Sequence, residues 1–227
     1  MNVKIEPLKV EELDDYITLF WNAMEPLEAN MIAPMIYLNG LQPDVLQRFR
    51  ERWLRNADIP NECFVARDTI TGEITGVSWW QADFHPPQTR EEIDAAFEKA
   101  KIAKAKLPPA HDMNTAIDDA YFKAAFYGTA DTTEGRPYME LRLLAVDTKH
   151  HRRGIGSLLL RHGLEKADEL GLQVYLDSAV MGKALYERHG FEFARDLDFN
   201  GLEYGGRSDG KHWCMLRPVQ GSKSIYS

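Results

Sequence analysis

Apolar and polar residues alternate along this chain in two rhythms, and the switches between them mark its elements. Val3-Lys4-Ile5-Glu6-Pro7 has the period of two of a half-buried strand. From Val10 to Met24, residues Leu13, Tyr16, Ile17, Phe20 and Trp21 fall on one helical face. Met31 to Leu38 is apolar with Pro34 inside it, which predicts a buried loop or a broken helix. Val45, Leu46, Phe49 and Trp53 predict a helix over Pro43–Leu54, with Pro43 near the start, where its missing N–H costs little. Glu62–Arg67, the turn Asp68–Gly72 and Ile74–Trp80 read as a hairpin. Trp79 and Trp80 are neighbours on its second strand and face opposite sides.

Residues 86–137 interrupt the strand pattern. Thr89-Arg90-Glu91-Glu92 is a capping box ahead of Ile93, Ala96, Phe97 and Ala100, and Pro108-Pro109 breaks that run. A second amphipathic segment carries Ile117, Ala120, Tyr121 and Ala124 and is expected to stop at Gly128. Strand and helix then alternate. Met139–Val146 reads as a strand, and a helix with Ile155, Leu159, Leu160, Gly163, Leu164, Ala167 and Leu170 on its apolar face ends at Gly171. Leu172–Ser178 is a buried strand, Met181–Phe191 a short helix stopped at Gly190, and Phe191–Arg195 and His212–Arg217 are strands about a glycine-rich connection. The pattern predicts a single α/β domain over 1–227, with residues 220–227 as a frayed end.

Composition narrows the classes. With 44% hydrophobic residues in 227, the chain can bury one substantial core. The first residues lack the apolar core of a signal peptide, and no run of eighteen apolar residues occurs, so a soluble, cytoplasmic protein is expected, a nuclear location being the alternative. A net charge of −8 disfavours nucleic acid, whose binding needs a clustered basic face. Cys63 and Cys214 stand far apart in strand-like surroundings and read as buried apolar residues. His150-His151 are adjacent and no His-Glu-x-x-His pair occurs, so no metal is expected.

The chemistry lies in His151-Arg152-Arg153-Gly154-Ile155-Gly156-Ser157, between a strand and a helix. Two glycines let the backbone curl and expose its N–H groups, and the helix adds its positive end to two arginine charges. Such a turn suits phosphate. A P-loop would carry lysine after its last glycine, where Ser157-Leu158 follow here; a dinucleotide fingerprint would have a small residue at Leu159. Taken alone, the turn also reads as a solvated basic loop that merely starts a helix.

The run resembles the coenzyme loop of the GNAT N-acetyltransferase superfamily, Gln/Arg-x-x-Gly-x-Gly/Ala, with His151 standing in place of Gln or Arg. Ala184, Tyr186-Glu187 and Gly190-Phe191 are similar to that family's next landmark. The resemblance implies a mixed central sheet flanked by helices, with 86–137 as a helical insertion before the fourth strand. That insertion has three open roles: an acceptor-site lid, a dimer contact or a stability element, with the lid preferred. It also implies acetyl transfer from acetyl coenzyme A to a primary amine, on a small molecule or a protein, directly within a ternary complex. The alternative is a non-catalytic acyl-coenzyme A binding module. By the same resemblance, residues 151–157 hold the coenzyme together with the backbone of Leu144, Ala145 and Val146, and Tyr186 is the general acid. Glu140 has the spacing of the catalytic glutamate of the histone-acetylating branch; an ion pair with Arg142 is its other reading. Asp177 and Glu187 are weaker candidates for the base. Neither the acceptor amine nor the oligomeric state can be read from the sequence.

Overall fold

The computed structural model describes residues 2–24, 31–55, 61–107 and 109–221, so the end of the expected frayed tail, 222–227, lies outside them. A seven-stranded sheet runs in the order β1-β2-β3-β4-β5-β7-β6. Val3–Pro7 (β1), Asn61–Asp68 (β2), Ile74–Asp83 (β3) and Tyr138–Val146 (β4) pair antiparallel in sequence. β4 pairs parallel with Gln173–Ala179 (β5). His212–Arg217 (β7) lies antiparallel between β5 and Glu192–Asp196 (β6). The expected mixed α/β sheet is present.

Register decides which side chains share a face. Gln81 pairs with Glu140, Asp83 with Tyr138, and Glu140 with Tyr175, so these residues project from one face together with Trp79 and Asp177. Trp80, Met139, Leu141, Val174 and Leu176 take the other face, where they form one apolar cluster. On the first face, helix α1 (Leu13–Met24) covers β3 and β4 with Tyr16, Ile17 and Phe20. The short helix α2 (Ile32–Ile36) resolves the Pro34 segment as a buried helical turn. Helix α3 (Pro43–Arg55) follows and packs beside α1.

The two helices of the 86–137 segment do not behave as one unit. Helix α4 (Arg90–Ala105), capped by Thr89 as expected, sits outside and rests on the next helix through Phe97, which meets Phe122, Phe126 and Tyr127. Helix α5 (Thr115–Thr133) is core, covering β5 and β7 through Ala124, which clusters with Tyr175, Leu197, Cys214 and Leu216. The expected stop at Gly128 is corrected: α5 runs on to Thr133 and ends where Glu134 and Gly135 adopt positive φ. Gly128 serves close packing instead, since a Cβ there would lie 2.8 Å from Leu197 Cδ1 and 3.1 Å from Cys214 Sγ. The lid expectation fits α5 poorly, because its buried face holds the sheet.

Helix α6 (Ile155–Leu170) covers the opposite face across β1 to β5, and helix α7 (Lys183–Glu187) follows β5. Among the described residues no helix is long and apolar enough to cross a membrane, and no group of three or more His, Cys, Asp or Glu is placed to share a metal ion. The two cysteines are free and buried, as expected.

Trp80 is fully buried beneath α6 at Gly163, where a Cβ would overlap the indole ring outright. The helix lies this close to the sheet only because that position has no side chain. Gly163→Ala is therefore expected to destabilise the fold by about 1 to 3 kcal/mol, the usual range for overpacking a filled core. Denaturant unfolding would read this as a lower midpoint at constant slope.

Candidate active site

The parallel strands β4 and β5 pair at only three positions, Tyr138 with Gln173, Met139 with Val174 and Glu140 with Tyr175. Both strands continue beyond these pairs, β4 to Val146 and β5 to Ala179, so they part after Glu140. Among the described residues, Leu141 to Val146 then has β3 on one edge and no strand on the other. β4 carries an extra residue here: Trp79 pairs with Leu143 and Trp80 with Leu141, leaving Arg142 as a bulge. The middle of the sheet therefore opens as a wedge.

Both strands run toward the same end, and each delivers a loop to the wedge. After β4, Asp147 accepts from Lys149 N–H and starts a single 3₁₀ turn over Thr148–His150. The chain then turns sharply, with Arg152 at φ 59° and Gly154 at φ 78°, before α6 begins at Ile155. Residues 151–154 are exposed, whereas the Ile155 side chain is buried, so Ile155 offers the opening only its backbone. Gly156 faces Leu185 and Val146 at ordinary contact distance for an added Cβ, so this position has room for alanine. Leu144, Ala145 and Val146 place their side chains in apolar clusters and likewise offer the wedge only backbone. The His151 ring is spent locally: its Nε2 lies 3.0 Å from the Val146 carbonyl oxygen and ties the loop to the end of β4. Arg152 and Arg153 are the exposed charges, and Ser157 stands in the first turn of α6. Free N–H groups at the start of a sixteen-residue helix, a left-handed turn and two arginines form a cradle that fits a diphosphate.

On the face shared with α3 and α5, Glu140 sits at the floor of the wedge. Its carboxylate lies 3.1 Å from the Arg142 guanidinium, which also donates to Gln81 Oε1 at 2.9 Å and stands over the Trp79 ring. The ion-pair reading of Glu140 is thus present, and it does not dispose of the carboxylate. Burial pushes the Glu140 carboxyl above its usual range against the pull of Arg142, and the charges of Asp177 and Asp83 push the same way. Asp177, across the wedge on β5, accepts from the Tyr121 hydroxyl at 2.7 Å. The charge of Arg52 on α3 also acts on Glu140 and on Tyr121, in each case favouring the ionised form.

Tyr186 lies on α7, packed edge-on against Phe191 with ring centroids 5.7 Å apart. Its ring closes over Gly182, where a Cβ would lie 2.7 Å from it. Among the described residues its hydroxyl meets no hydrogen-bond partner. Burial, with a smaller contribution from Asp177, raises its pKa well above that of a free phenol, so the hydroxyl stays protonated. Glu187, the other carboxylate of this helix, pairs with Lys183 at 3.4 Å in solvent and takes no part.

A family model described as an acetyltransferase (GNAT) domain matches residues 116–193, which span α5, the wedge, the loop and Tyr186. Over that stretch, about a third of the chain, the sequence is similar to the GNAT acetyltransferase domain. No curated protein matches its sequence. Solved structures with the same fold include one described as histone acetyltransferase HPA2 and related acetyltransferase from Corynebacterium glutamicum, at 19% identity and TM-score 0.59, covering 99% of this chain and 100% of that one. Arylalkylamine N-acetyltransferase 2 from Aedes aegypti matches at 14% identity and TM-score 0.66, over 97% and 100% of the two chains. The Drosophila melanogaster polyamine N-acetyltransferase, which forms N-acetylagmatine, matches at 16% identity and TM-score 0.61, over 94% and 97%. With 99% of this chain aligned to the Corynebacterium glutamicum structure, the alignment runs through α4 and α5 as well.

The loop, Glu140 and Tyr186, singled out from the sequence, lie around one wedge in the structure. Sequence reasoning missed Trp79 and Tyr121 as cleft residues, and Arg52 as a charge acting on Glu140, because each sits in an amphipathic pattern that packing alone explains. For Glu140 the physical balance is testable. Removing the guanidinium in Arg142→Ala takes away the larger of the two opposing charges and leaves burial, Asp177 and Asp83 against Arg52, so the Glu140 carboxyl should titrate at still higher pH. A carbonyl-carbon NMR titration of labelled glutamate would show the shift, and a downward movement would contradict the balance.

Proposed function

We propose that this protein transfers the acetyl group of acetyl coenzyme A to a primary amine, directly and within a ternary complex. The observation that carries this reading is the wedge itself: a diphosphate cradle at its rim, a carboxylate on its floor and a neutral phenol at its side. The cradle of Arg152, Arg153, Gly154, Ile155, Gly156 and Ser157 binds the coenzyme's diphosphate. Unpaired backbone at Leu144, Ala145 and Val146 accommodates the chain that follows it, and an N–H there polarises the thioester carbonyl. The coenzyme supplies an acetyl thioester.

The acceptor enters from the α3–α5 side. A free alkylamine has a pKa near ~10.4 and arrives as an ammonium, so it must lose a proton before attack. Glu140, a carboxylate with its pKa raised by burial, takes that proton directly or through water. As the carbon–sulfur bond breaks, the leaving thiolate needs a proton, and Tyr186 offers its hydroxyl hydrogen. A phenol with a raised pKa would be a poor acid in water. Burial raises the basicity of a thiolate for the same reason, which keeps donor and acceptor matched. A non-catalytic binding module would have no use for Glu140 and an unpartnered Tyr186 hydroxyl on opposite sides of one opening.

Two variants separate binding from chemistry. Gly154→Val puts a β-branched residue at φ 78° and should weaken coenzyme binding at least about tenfold by calorimetry. Unchanged affinity would dismiss the cradle. Tyr186→Phe keeps the packing on Phe191 and removes only the hydroxyl. Turnover should fall by about 10²- to 10⁴-fold under conditions where chemistry limits the rate, with coenzyme affinity retained. Equal turnover in both proteins would remove Tyr186 from the mechanism.

A further inference from the structure

Asp177 is a carboxylate on the wedge that the acetyl transfer does not employ. It projects from the same face of the sheet as Glu140 and Tyr175, one strand away from Glu140 and two residues further toward the opening. Strand spacing and rise put the Glu140 and Asp177 Cα atoms at least about 8 Å apart. Asp177 is half-buried, and among the described residues no lysine, arginine or histidine comes within ion-pairing distance of it. Its hydrogen-bond partner is neutral: the Tyr121 hydroxyl donates to Oδ2, which leaves Oδ1 available.

The charges around it are already committed. Arg142 serves Glu140 and Gln81. Asp83 takes the His85 ring, and Arg52, exposed on α3, is among the described residues a further cation whose charge acts on Glu140 and Tyr121. The influence of Asp177 reaches Glu140, Tyr121, Tyr175 and Tyr186, so its negative charge is felt throughout the cleft. Tyr121 itself is fixed from behind by Phe199, edge-on with centroids 5.6 Å apart, and by His212, at 6.2 Å. A half-buried carboxylate oriented by a clamped phenol and lacking a cation is completed by a positively charged ligand group.

Resting on the acetyltransferase reading, we propose that the acceptor carries a second cationic group, ammonium or guanidinium, joined by a short aliphatic spacer to the amine that is acetylated. Asp177 binds that second cation, and Tyr121 is a positioning residue that holds the carboxylate toward it. While one amine loses its proton at Glu140, the other stays charged and anchors the molecule across the wedge. A monoamine of equal length lacks the anchor.

Thiol release from acetyl coenzyme A with diaminobutane and with butylamine tests this. The ratio of kcat/KM, diamine over monoamine, should be on the order of 10- to 100-fold in the unaltered protein, the scale of one charge-assisted hydrogen bond. In Asp177→Asn the ratio should collapse toward one, mainly through KM for the diamine. In Tyr121→Phe it should fall by a smaller factor, a change that a purely structural role for Tyr121 would not produce. Thermal unfolding confirms that each variant is folded, and Tyr121→Phe carries the test if Asp177→Asn is not. An unaltered protein with no preference, or a ratio unmoved in the variants, overturns this inference and leaves the acetyltransferase reading standing. No thiol release with any amine overturns both.

Discussion

The arrangement of the candidate site depends on the parallel pairing of β4 with β5 ending after Glu140. A sheet gains by continuing its ladder, and each buried backbone group left without a partner is costly. The break persists because the surroundings enforce it. The bulge at Arg142 twists β4 at the point of parting. From below, Leu144, Leu185 and Tyr186 pack against the core cluster and fill the apolar side of the wedge. From above, α3 and α5 stand on either flank of the sheet, α1 packing with the first against β3 and β4, α5 against β5 and β7. The gap between the flanks is where Glu140, Arg142, Trp79 and Asp177 meet water.

Close packing elsewhere makes that opening affordable. Trp80 fits under Gly163, and Gly128 lets α5 settle onto Cys214 and Leu197, so the helices on the two faces lie nearly as close as backbone allows. Ion pairs brace the periphery: Arg217 grips Asp168 through two nitrogens at 2.6 and 3.0 Å, and Arg67 bridges Glu6 and Glu12. Asp131 joins Arg90 of α4 to Arg195 of β6, which fastens the outer helix to the far edge of the sheet. These contacts brace the frame at its edges, away from the point where β4 and β5 part.

Local patterns carried much of this in the sequence. Every strand from β1 to β7 was legible because alternation or a short apolar run, bounded by glycine or proline, leaves few other solutions. The turn at 151–157 was legible because its glycines and charges gather in one short segment between a strand and a helix. What stayed hidden depends on distant segments meeting. Nothing in Met139–Val146 announces that its neighbour leaves it halfway, because pairing length is set by two strands and by what packs between them. Gly128 read as a helix stop for the same reason: the cost of a side chain there is fixed by Leu197 and Cys214, about seventy residues or more away in the chain, and local propensity sees only glycine. Tyr121 read as one more apolar-face aromatic, although its hydroxyl is what orients Asp177.

The departures from ordinary protein chemistry gather at the same place, and that distribution is itself informative. The Trp79 indole N–H is buried and has no acceptor, an omission that costs about 1 to 3 kcal/mol. Two other buried groups without a conventional partner, the Tyr16 and Thr132 hydroxyls, at least face the thiols of Cys63 and Cys214, which are weak partners. Trp79 has no such relief, and it lies directly beside the Arg142 bulge. Arg152 is held at positive φ, Glu140 is buried against its own charge, and Asp177 is supported by a neutral phenol. Scattered through the fold, such costs would read as poor packing. Concentrated around a gap in the sheet, with well-satisfied structure on every side, they describe a site whose groups are kept in place for ligands rather than for one another.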